Sequence, residues 1–394
     1  MRYFLTFYFR PDLSAGSFRA TALVQALRER LAPGDCIDVV TTEPNRYRLF
    51  EAGASSDAEE AGVEIHRIAL PPHASDMLGQ ARAFRRFASE AKRISHGRKY
   101  DLVYATSSRL MTAALGAHLA RRARAPLYLD IRDLFVDTIG DILPGALAGP
   151  ARVFFSQIER YTMSRAETVN LVSRGFESYF TARYPRTRLT WFTNGVDEEF
   201  LAAAPAGAAP RPAGQRLRVL YAGNIGEGQG LHAIVPGIAQ RLRDRADIVV
   251  IGDGGRRSEL LAAISDAGVH NVELRPPVKR AQLLEEYRNA DVLFLHLNDH
   301  PAFERVLPSK IFEYAALGKP VWAGVAGFSA AFLREEVDNA AVFAPCDVDG
   351  ALREFESLRI ADEPRVKFIQ KFSRSGIMRS MADDVLGTRD RMHR

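Results

Sequence analysis

The sequence has little cysteine and no long apolar run. Of its 394 residues only Cys36 and Cys346 are cysteines, and neither belongs to a C-x-x-C motif. This argues against a disulfide framework and a zinc site, and it favours a reducing compartment. The apolar run Tyr3–Phe9 is followed by charged residues without a cleavage-like site, so it predicts a buried first strand and not a signal peptide. No other apolar stretch approaches the roughly 20 residues that span a bilayer, so a soluble or peripheral protein is expected.

Positive charge is unevenly distributed, although the formal net charge is only +5. The stretch from Arg82 to Arg124 is dominated by arginine and lysine, with only Glu90 and Asp101 opposing them. Apolar residues are interleaved with these cations. The pattern is typical either of a helical face that contacts anionic lipid headgroups or of two solvated amphipathic helices, and both interpretations remain open. No recognised module or aromatic platform accompanies it, so nucleic-acid binding is not expected.

Short apolar runs alternate with helical stretches, such as Phe18–Leu31, in both halves of the chain. This alternation predicts parallel β-α-β units. A segment rich in Pro, Ala and Gly over residues 201–214 separates the halves and predicts a linker. The predicted strands are Tyr3–Phe9, Ile37–Thr41, Val63–Ile68, Leu102–Ala105, Leu127–Ile131, Thr168–Val172, Thr190–Phe192, Arg218–Ala222, Asp247–Ile251, Val272–Leu274, Val292–Leu297, Pro320–Ala323 and Ala341–Phe343.

The predicted fold class is α/β, with two Rossmann-like domains whose parallel sheets face a central cleft. Open parallel sheets bind ligands beyond the carboxyl ends of their strands. The N-terminal domain is predicted over residues 1–205 and the C-terminal domain over 206–374. A last helix, at about 375–394, is expected to pack back on the first domain.

A glycine-rich loop stands between a predicted strand and a predicted helix of the second half. The strand runs into Gly223, Asn224 and Gly226. Glycine permits close backbone approach and a helix N-terminus favours anions, so the loop suits a diphosphate; a tight turn without a ligand is the alternative. It lacks the spacing of a Walker loop or of G-x-G-x-x-G. Gly252 and Gly254 follow the next strand, where ligand contact and a plain turn are equally open.

A third pattern follows in the stretch Glu304–Val321. Pro308 and Ser309 are typical of a helix start, with Ser309 near the N-cap. Lys310 would then occupy the first turn, where the helix dipole favours an acid, so a cation there fits a bound anion. Glu313 follows one turn later and could accept hydrogen bonds from ribose hydroxyls. A capped amphipathic helix with solvated Lys and Glu is the alternative interpretation.

Two stretches of the first half also suit a site. Gly16 and Ser17 lie between the first strand and the first helix, where backbone N–H groups are exposed to a ligand. Asp130, Arg132 and Asp133 end a buried strand, and charges at such a position usually line a site or pair with each other. An internal salt bridge of Arg132 with an aspartate, without a catalytic part, is the alternative.

Taken in order, these stretches resemble the retaining glycosyltransferases of family 4, which have the GT-B fold. The resemblance covers nearly the whole chain. In this sequence the Arg132-Asp133 and Pro308-Ser309-Lys310 stretches look like those of the family branch that builds bacterial surface polysaccharides. The matching elements are the Gly16 loop, Arg132-Asp133, Asn194–Asp197, the Gly223 loop, Gly252–Gly254, Pro308–Lys310 with Glu313-Tyr314, and Phe372–Arg374.

The resemblance implies metal-independent transfer of a sugar, N-acetylated or deoxy, from a nucleotide diphosphate sugar. UDP is the default nucleotide, and the donor is a substrate, so no cofactor is implied. The implied acceptor is a saccharide linked to undecaprenyl diphosphate in O-antigen or capsule synthesis, with retention at the anomeric carbon. The implied location is the cytoplasm, peripheral at the inner face of the membrane, with the basic helices of the first domain as a possible contact.

The resemblance also implies roles for single residues. Glu313 would bind the ribose as the second acid of an E-x7-E motif, while Gly16 would lie beside the diphosphate. Asp133 or Asp130 would face the acceptor or the transferred sugar. The implied donor-binding residues are Gly16, Ser17, Gly223, Asn224, Gly226, Gly252, Gly254, Arg305, Leu307, Pro308, Ser309, Lys310 and Glu313. The candidate catalytic residues are Asp133, Asp130, Arg132, Lys310 and Glu304.

The sequence departs from the family pattern at two places. The first acid of E-x7-E falls at Arg305, so either Glu304 reaches in from a shifted loop or backbone groups do its work. Asn224 and Gln229 stand where many members carry Arg and Lys, so Lys310 and Arg305 are expected to take over that task. Two alternatives therefore remain: a sugar-nucleotide epimerase of the same fold, and a non-catalytic scaffold subunit.

Overall fold

The computed structural model describes most of the chain as two units, each built around a parallel sheet. The first unit comprises residues 1–194 and 374–394, and the second comprises 195–373. Except for Leu201, the predicted linker lies outside the described residues. None of the described helices is both long and apolar enough to cross a bilayer. The described residues are 1–12, 14–43, 57–60, 62–70, 77–107, 110–137, 145–201 and 215–391.

Eight strands form one sheet in the described part of the first unit. They are β1 (Arg2–Leu5), β2 (Ile37–Thr42), β3 (Asp57–Glu60), β4 (Val63–Ile68), β5 (Leu102–Thr106), β6 (Leu127–Ile131), β7 (Thr168–Leu171) and β8 (Arg188–Thr190). Their order in the sheet is β3-β4-β2-β1-β5-β6-β7-β8. Neighbouring strands run parallel, except that β3 is antiparallel to β4. Central strands such as β5 are buried throughout, which is why they occur as continuous apolar runs in the sequence.

Helices cover this sheet, and the last helix of the chain completes its core. The helices are α1 (Ala15–Arg28), α2 (Met77–Ser95), α3 (Leu110–Ala123), α4 (Gly145–Met163), α5 (Glu177–Arg183) and α14 (Arg374–Arg391). On α14, Met378, Met381 and Val385 recur at helical spacing and pack in one cluster with Leu23 and Leu27 of α1. Residues 392–394, which the sequence assigns to this helix, lie outside the described residues.

Six parallel strands form the sheet in the described part of the second unit. They are β9 (Leu217–Asn224), β10 (Ala246–Asp253), β11 (Val272–Arg275), β12 (Val292–His296), β13 (Val321–Gly324) and β14 (Ala340–Phe343). Their order is β11-β10-β9-β12-β13-β14. The helices are α6 (Glu198–Leu201), α7 (Leu231–Arg241), α8 (Arg257–Asp266), α9 (Arg280–Asn289), α10 (Lys310–Ala316), α11 (Gly327–Glu336), α12 (Val348–Phe355) and α13 (Val366–Lys371). Ile234 and Ile238 of α7 lie in the core with Trp322 of β13.

The two chain segments that pass between the units are paired with each other in the second unit. Val196 forms an isolated parallel bridge with Ser373, and its N–H donates to the Phe372 carbonyl at 2.8 Å. Arg280 on α9 binds Asp197 at 2.9 Å and also binds Glu199. Residues 195–201 therefore belong to the second unit, and the contact boundary lies earlier than the predicted one between 205 and 206.

The predicted strands correspond to strands of the structure, with different ends. The first strand ends at Leu5 and not at Phe9, and the strand predicted at Thr190–Phe192 occupies Arg188–Thr190. The short edge strand β3 was not predicted, because its sequence Asp-Ala-Glu-Glu lacks the apolar residues that mark a buried strand.

Candidate functional site

The two glycine-rich turns of the second unit lie side by side at the carboxyl edge of its sheet. Strands β9 and β10 are in register, with Gly223 opposite Gly252 and Asn224 opposite Asp253. A Cβ on Gly252 would overlap the Gly223 carbonyl oxygen, so the end of β10 tolerates no side chain at this position. A Cβ on Gly254 would likewise overlap a backbone carbonyl of the β9 loop. The predicted glycine positions therefore form one continuous backbone surface.

A small hydrogen-bond network shapes the first of these turns. The Gln229 side-chain Oε1 accepts from Asn224 Nδ2 at 2.8 Å and from the Gly226 N–H at 3.2 Å. Gly230 then turns the chain into α7 with φ of 56°, a conformation that favours glycine. Asn224 and Gln229 are the two residues that replace the cations expected from the resemblance. They stabilise the loop instead of supplying charge to it.

Lys310 supplies a positive charge at this loop. A Cβ on Gly223 would lie 2.5 Å from Lys310 Cε and 3.3 Å from Nζ, so the lysine stem crosses directly over the glycine. Lys310 is the first residue of α10, and its side chain is half-buried. The missing side chain at position 223 thus leaves room for the lysine side chain.

The residues before Lys310 differ from the prediction in detail. Ser309 occupies the N-cap position of α10, but its φ of −61° and ψ of −26° are helical and its side chain makes no capping bond. Backbone bonds hold the first turn instead, with the Ile311 N–H donating to the Pro308 carbonyl at 3.2 Å. The Leu307 side chain is buried, while Arg305 ends a short 3-10 segment that begins at Pro301.

That 3-10 segment lies against the glycine loop. The Phe303 ring would be 3.0 Å from a Cβ on Gly228, so it packs on this turn of the loop. The Glu304 side chain is exposed, and its carbonyl faces Gly327, whose φ of 55° and missing side chain permit the approach. This geometry places Glu304 beside the glycine loop.

Glu313 lies on α10 with its carboxylate held at both oxygens. Its Oε2 accepts from the Tyr287 hydroxyl at 3.3 Å, and its Oε1 is 4.0 Å from Arg280 Nη1. The side chain is only 14% exposed. Lys310 and Glu313 are three residues apart on one helix, so α10 presents a cation and a carboxylate on neighbouring positions.

His296, at the end of β12, belongs to no recognised sequence motif, but the structure connects it to the glycine loop. The Cys346 N–H donates to its Nε2 at 3.0 Å, and its Nδ1 lies 2.7 Å from the Gln229 carbonyl oxygen. Burial lowers the pKa of this imidazole to about 4, against the hydrogen bond to Gln229, which raises it. The histidine is therefore neutral at physiological pH. It is hydrogen-bonded to the glycine loop through the Gln229 carbonyl.

In the first unit, Asp130 is an interior carboxylate, so the prediction that it faces a substrate is wrong. Its two oxygens accept from Arg19 at 2.8 and 2.9 Å, from Tyr104 at 2.9 Å and from Asn170 at 2.7 Å. Burial alone would raise the pKa of Asp130, but the Arg19 guanidinium outweighs burial and lowers it. With four donors and almost no exposure, this carboxylate has no capacity left for a ligand.

The Arg132 side chain, just after β6, extends toward the start of α1. Its Nη1 would be 3.5 Å from a Cβ on Gly16, in the first turn of that helix. Burial lowers the pKa of the Arg132 guanidinium, and Asp130 opposes this effect. Within the described ranges no carboxylate forms an ion pair with this guanidinium, so the internal salt bridge that was the alternative is absent there.

Gly16 lies beside this guanidinium, Ser17 follows Gly16 in the first turn of α1, and Asp133 follows Arg132 in the chain. Ser14 caps α1 by accepting from the Ser17 N–H at 3.2 Å. The Ser17 hydroxyl is 1% exposed and, among the described residues, has no hydrogen-bond partner. Asp133 is exposed. The first unit thus presents a helix N-terminus, a buried hydroxyl and a guanidinium, which together suit an anion.

Comparison with known proteins matches each unit to a glycosyltransferase domain. A glycosyl transferase 4-like domain matches residues 16–195, and a domain of glycosyl transferases group 1 matches residues 216–358. The chain belongs to the GT-B glycosyltransferases. In this glycosyltransferase the first match includes Gly16 and Arg132, and the second includes the glycine loop and Lys310.

Similar proteins are found among curated sequences and solved structures. The putative colanic acid biosynthesis glycosyl transferase WcaI of Escherichia coli K12 is 34% identical over 101 residues, which cover 25% of this glycosyltransferase and only 24% of WcaI. Sucrose-phosphate synthase from Thermosynechococcus elongatus superposes with a TM-score of 0.65 at 12% identity, over 100% of this chain and 97% of that one. Anabaena HepE, in complex with UDP and glucose, gives 0.61 at 17% identity, over 100% and 98%. The two structures show the shared GT-B fold.

Proposed function

We propose that this protein transfers a sugar from a nucleotide diphosphate sugar, UDP being favoured, to a saccharide carried on undecaprenyl diphosphate. The transferred sugar is an N-acetylated or deoxy hexose, the anomeric configuration is retained, and the product is a bacterial surface polysaccharide such as O-antigen or capsule. The placement of Lys310 over Gly223 carries the proposal. The names of two similar proteins support it, since WcaI is named for colanic acid biosynthesis and HepE is in complex with UDP and glucose.

The second unit supplies the donor site in this proposal. A diphosphate leaving group gains negative charge in the transition state, and a fixed cation at that position lowers the barrier. Lys310 provides this cation, Arg305 adds to it, and the glycine turns at Gly223 and Gly252 let the backbone approach the phosphates. Glu313, held by Tyr287, accepts from the ribose hydroxyls. These cations neutralise the diphosphate, so the proposal requires no metal ion.

The first unit supplies a second anion-binding surface and an exposed acid. Arg132, the Ser17 hydroxyl and the N-terminus of α1 bind a phosphate group, for the reasons of charge and geometry given above. Asp133, exposed at the end of β6, faces the acceptor or the transferred sugar. Glu304 remains the candidate for the first acid of the family motif.

The membrane association in this proposal rests on α2 and α4. Helix α2 buries Ala83, Phe87 and Ala91 and exposes arginines on its other side, while α4 exposes Val153 at 63% and Phe154 at 61%. Exposed cations and exposed apolar side chains are both features of surfaces that bind anionic lipid. Co-sedimentation with vesicles that contain anionic lipid should remove the protein from solution at low salt and release it at high salt. Equal co-sedimentation with vesicles of neutral lipid would contradict the proposed binding to anionic lipid.

Saturation-transfer NMR against UDP-, GDP- and dTDP-sugars tests the donor site. We expect one nucleotide class to bind, and Glu313→Ala to abolish most of that signal because the ribose loses its acceptor. The exposed Glu335 of α11 provides a matched control, and Glu335→Ala should leave the signal unchanged. Absence of binding by any nucleotide would favour the scaffold alternative. Turnover of the donor without an acceptor would favour the epimerase.

A further inference from the structure

His296 connects two loops of the second unit through both nitrogens of its ring. The Cys346 N–H can only donate, so Nε2 is the acceptor and Nδ1 carries the proton. Nδ1–H therefore donates to the Gln229 carbonyl oxygen at 2.7 Å. The ring is 0% exposed, and both of its partners are backbone groups. This arrangement fixes the position of the Gln229 main chain relative to the end of β12.

Gln229 extends the connection into the glycine loop. Its side-chain Oε1 accepts from Asn224 Nδ2 and from the Gly226 N–H, at the two ends of the turn that precedes it. A displacement of the Gln229 main chain would therefore shift both bonds. Ile225 packs into the core at the start of the loop, whereas Gly226, Gly228 and Gly230 have no side chain that could hold the shape of the rest from inside.

We propose that His296 and Gln229 are positioning residues that hold the Gly223–Gly230 loop in the shape that receives the donor diphosphate. This inference rests on the proposed function of that loop. His296 acts through Gln229 and does not touch the substrate. Many family members carry cations at the positions of Asn224 and Gln229. Here these two residues shape the loop through hydrogen bonds, and Lys310 supplies the charge.

The surroundings of His296 show that packing alone does not explain an imidazole there. Phe294 and Phe343 lie beside it, each with ring centroids 6.2 Å from the imidazole, so a phenylalanine would suit the same environment. Gly324 on the neighbouring strand leaves space for the ring, since a Cβ there would overlap His296 Cδ2. A buried polar ring is unfavourable unless both nitrogens are bonded, which is the case here.

Hydrogen exchange and UDP titration calorimetry on matched variants test the proposal. His296→Phe and Gln229→Leu should each raise exchange of the amides between 224 and 230 at least about tenfold in the nucleotide-free protein, and weaken UDP binding by a similar factor. His296→Asn places an amide near the Nδ1 position, retains the bond to Gln229, and should stay within about threefold of the wild type. Asn271→Leu is the control.

Asn271 is a buried side chain of the same unit that also binds two backbone carbonyls, those of Ala239 and Ala246. Its replacement should lower the melting temperature without changing loop exchange or UDP affinity. If His296→Phe behaves like Asn271→Leu, His296 is only a core residue and the proposal is wrong. If the wild type binds no nucleotide, the donor site fails, but loop exchange still decides whether His296 and Gln229 position the loop.

Discussion

Arg19 and Asp130 form a buried ion pair joined by two hydrogen bonds. Arg19 Nε donates to Asp130 Oδ2 at 2.8 Å and Nη2 donates to Oδ1 at 2.9 Å, with both side chains 1% exposed. The same guanidinium donates to the main-chain carbonyls of Phe192 and Thr193 at 2.7 Å. The pair therefore joins α1, β6 and the segment after β8, and Asp130 has a structural role instead of the catalytic one predicted for it.

Asp130→Asn should destabilise the first unit while leaving the donor site intact. The change leaves the Arg19 guanidinium buried without its countercharge, a situation that typically costs about 3–5 kcal/mol in free energy of unfolding. Urea unfolding followed by Trp191 fluorescence in a Trp322→Phe background reports on this unit. The double variant Arg19→Met with Asp130→Leu should be less destabilised than Asp130→Asn alone. Unchanged stability in Asp130→Asn would show that the pair is dispensable.

Asp133→Asn should lower activity and leave stability nearly unchanged, the reverse of what is expected for Asp130→Asn. Asp133 is exposed, so its neutralisation should alter stability much less than Asp130→Asn does. Loss of a charge-assisted hydrogen bond to the acceptor or the transferred sugar should lower kcat/KM by roughly 10- to 100-fold. Glu167→Gln, at another exposed acid of this unit, is the control and should retain full activity. Full activity in Asp133→Asn would remove this residue from the site.

Lys310→Ala should reduce turnover far more than it reduces stability. Removing one group that stabilises transition-state charge typically costs on the order of 3 kcal/mol, so kcat should fall by about two orders of magnitude. The melting temperature should change little, because the side chain is half-buried at a helix end. Lys367 on α13 is exposed, and Lys367→Ala should match the wild type. An unaltered rate in Lys310→Ala would refute the proposed role.

The fold was predictable because its signals are local. Buried parallel strands give continuous apolar runs, and helices give apolar residues at helical spacing, so the alternation reveals both sheets. The edge strand Asp57–Glu60 gives no such signal, because its acidic residues carry no apolar pattern. The pairing of Val196 with Ser373 is equally invisible, since residues that far apart in the chain share no pattern.

The site was predictable where glycine, or a cation in the first turn of a helix, marks it in the sequence. Gly223, Gly252 and Lys310 do lie together, because parallel strands end at one edge of a sheet. The role of Asp130 was predicted wrongly, because an acid at a strand end has the same sequence pattern whether its side chain points inward or outward. His296 lies at the end of a predicted strand but belongs to no motif, and its role could not be predicted because its partners are main-chain atoms 67 and 50 residues away.

Gly252→Ala should damage the second unit, whereas Gly255→Ala should be tolerated. A Cβ on Gly252 overlaps the Gly223 carbonyl oxygen, and backbone cannot move aside as a flexible side chain can. The expected loss is about 1–3 kcal/mol in free energy of unfolding, together with weaker UDP binding. A Cβ on Gly255 meets no atom within 4 Å, which makes it the matched control. Equal stability of the two variants would contradict the observed packing of the turns.

The stability of the second unit should depend on pH through His296. Its pKa is about 4 in the folded protein and about 6.5 in an unfolded chain, so the unfolded state binds the extra proton between these values. The contribution is complete above pH 6.5 and is lost as pH falls toward 4, by about 3 kcal/mol in all. Urea unfolding followed by Trp322 fluorescence in a Trp191→Phe background measures it. The stability difference between this protein and its His296→Phe variant should shrink by that amount from pH 7 to pH 4, whereas the exposed His270→Phe control should keep the original pH dependence. A pH-independent difference would mean that His296 is not held neutral by its burial.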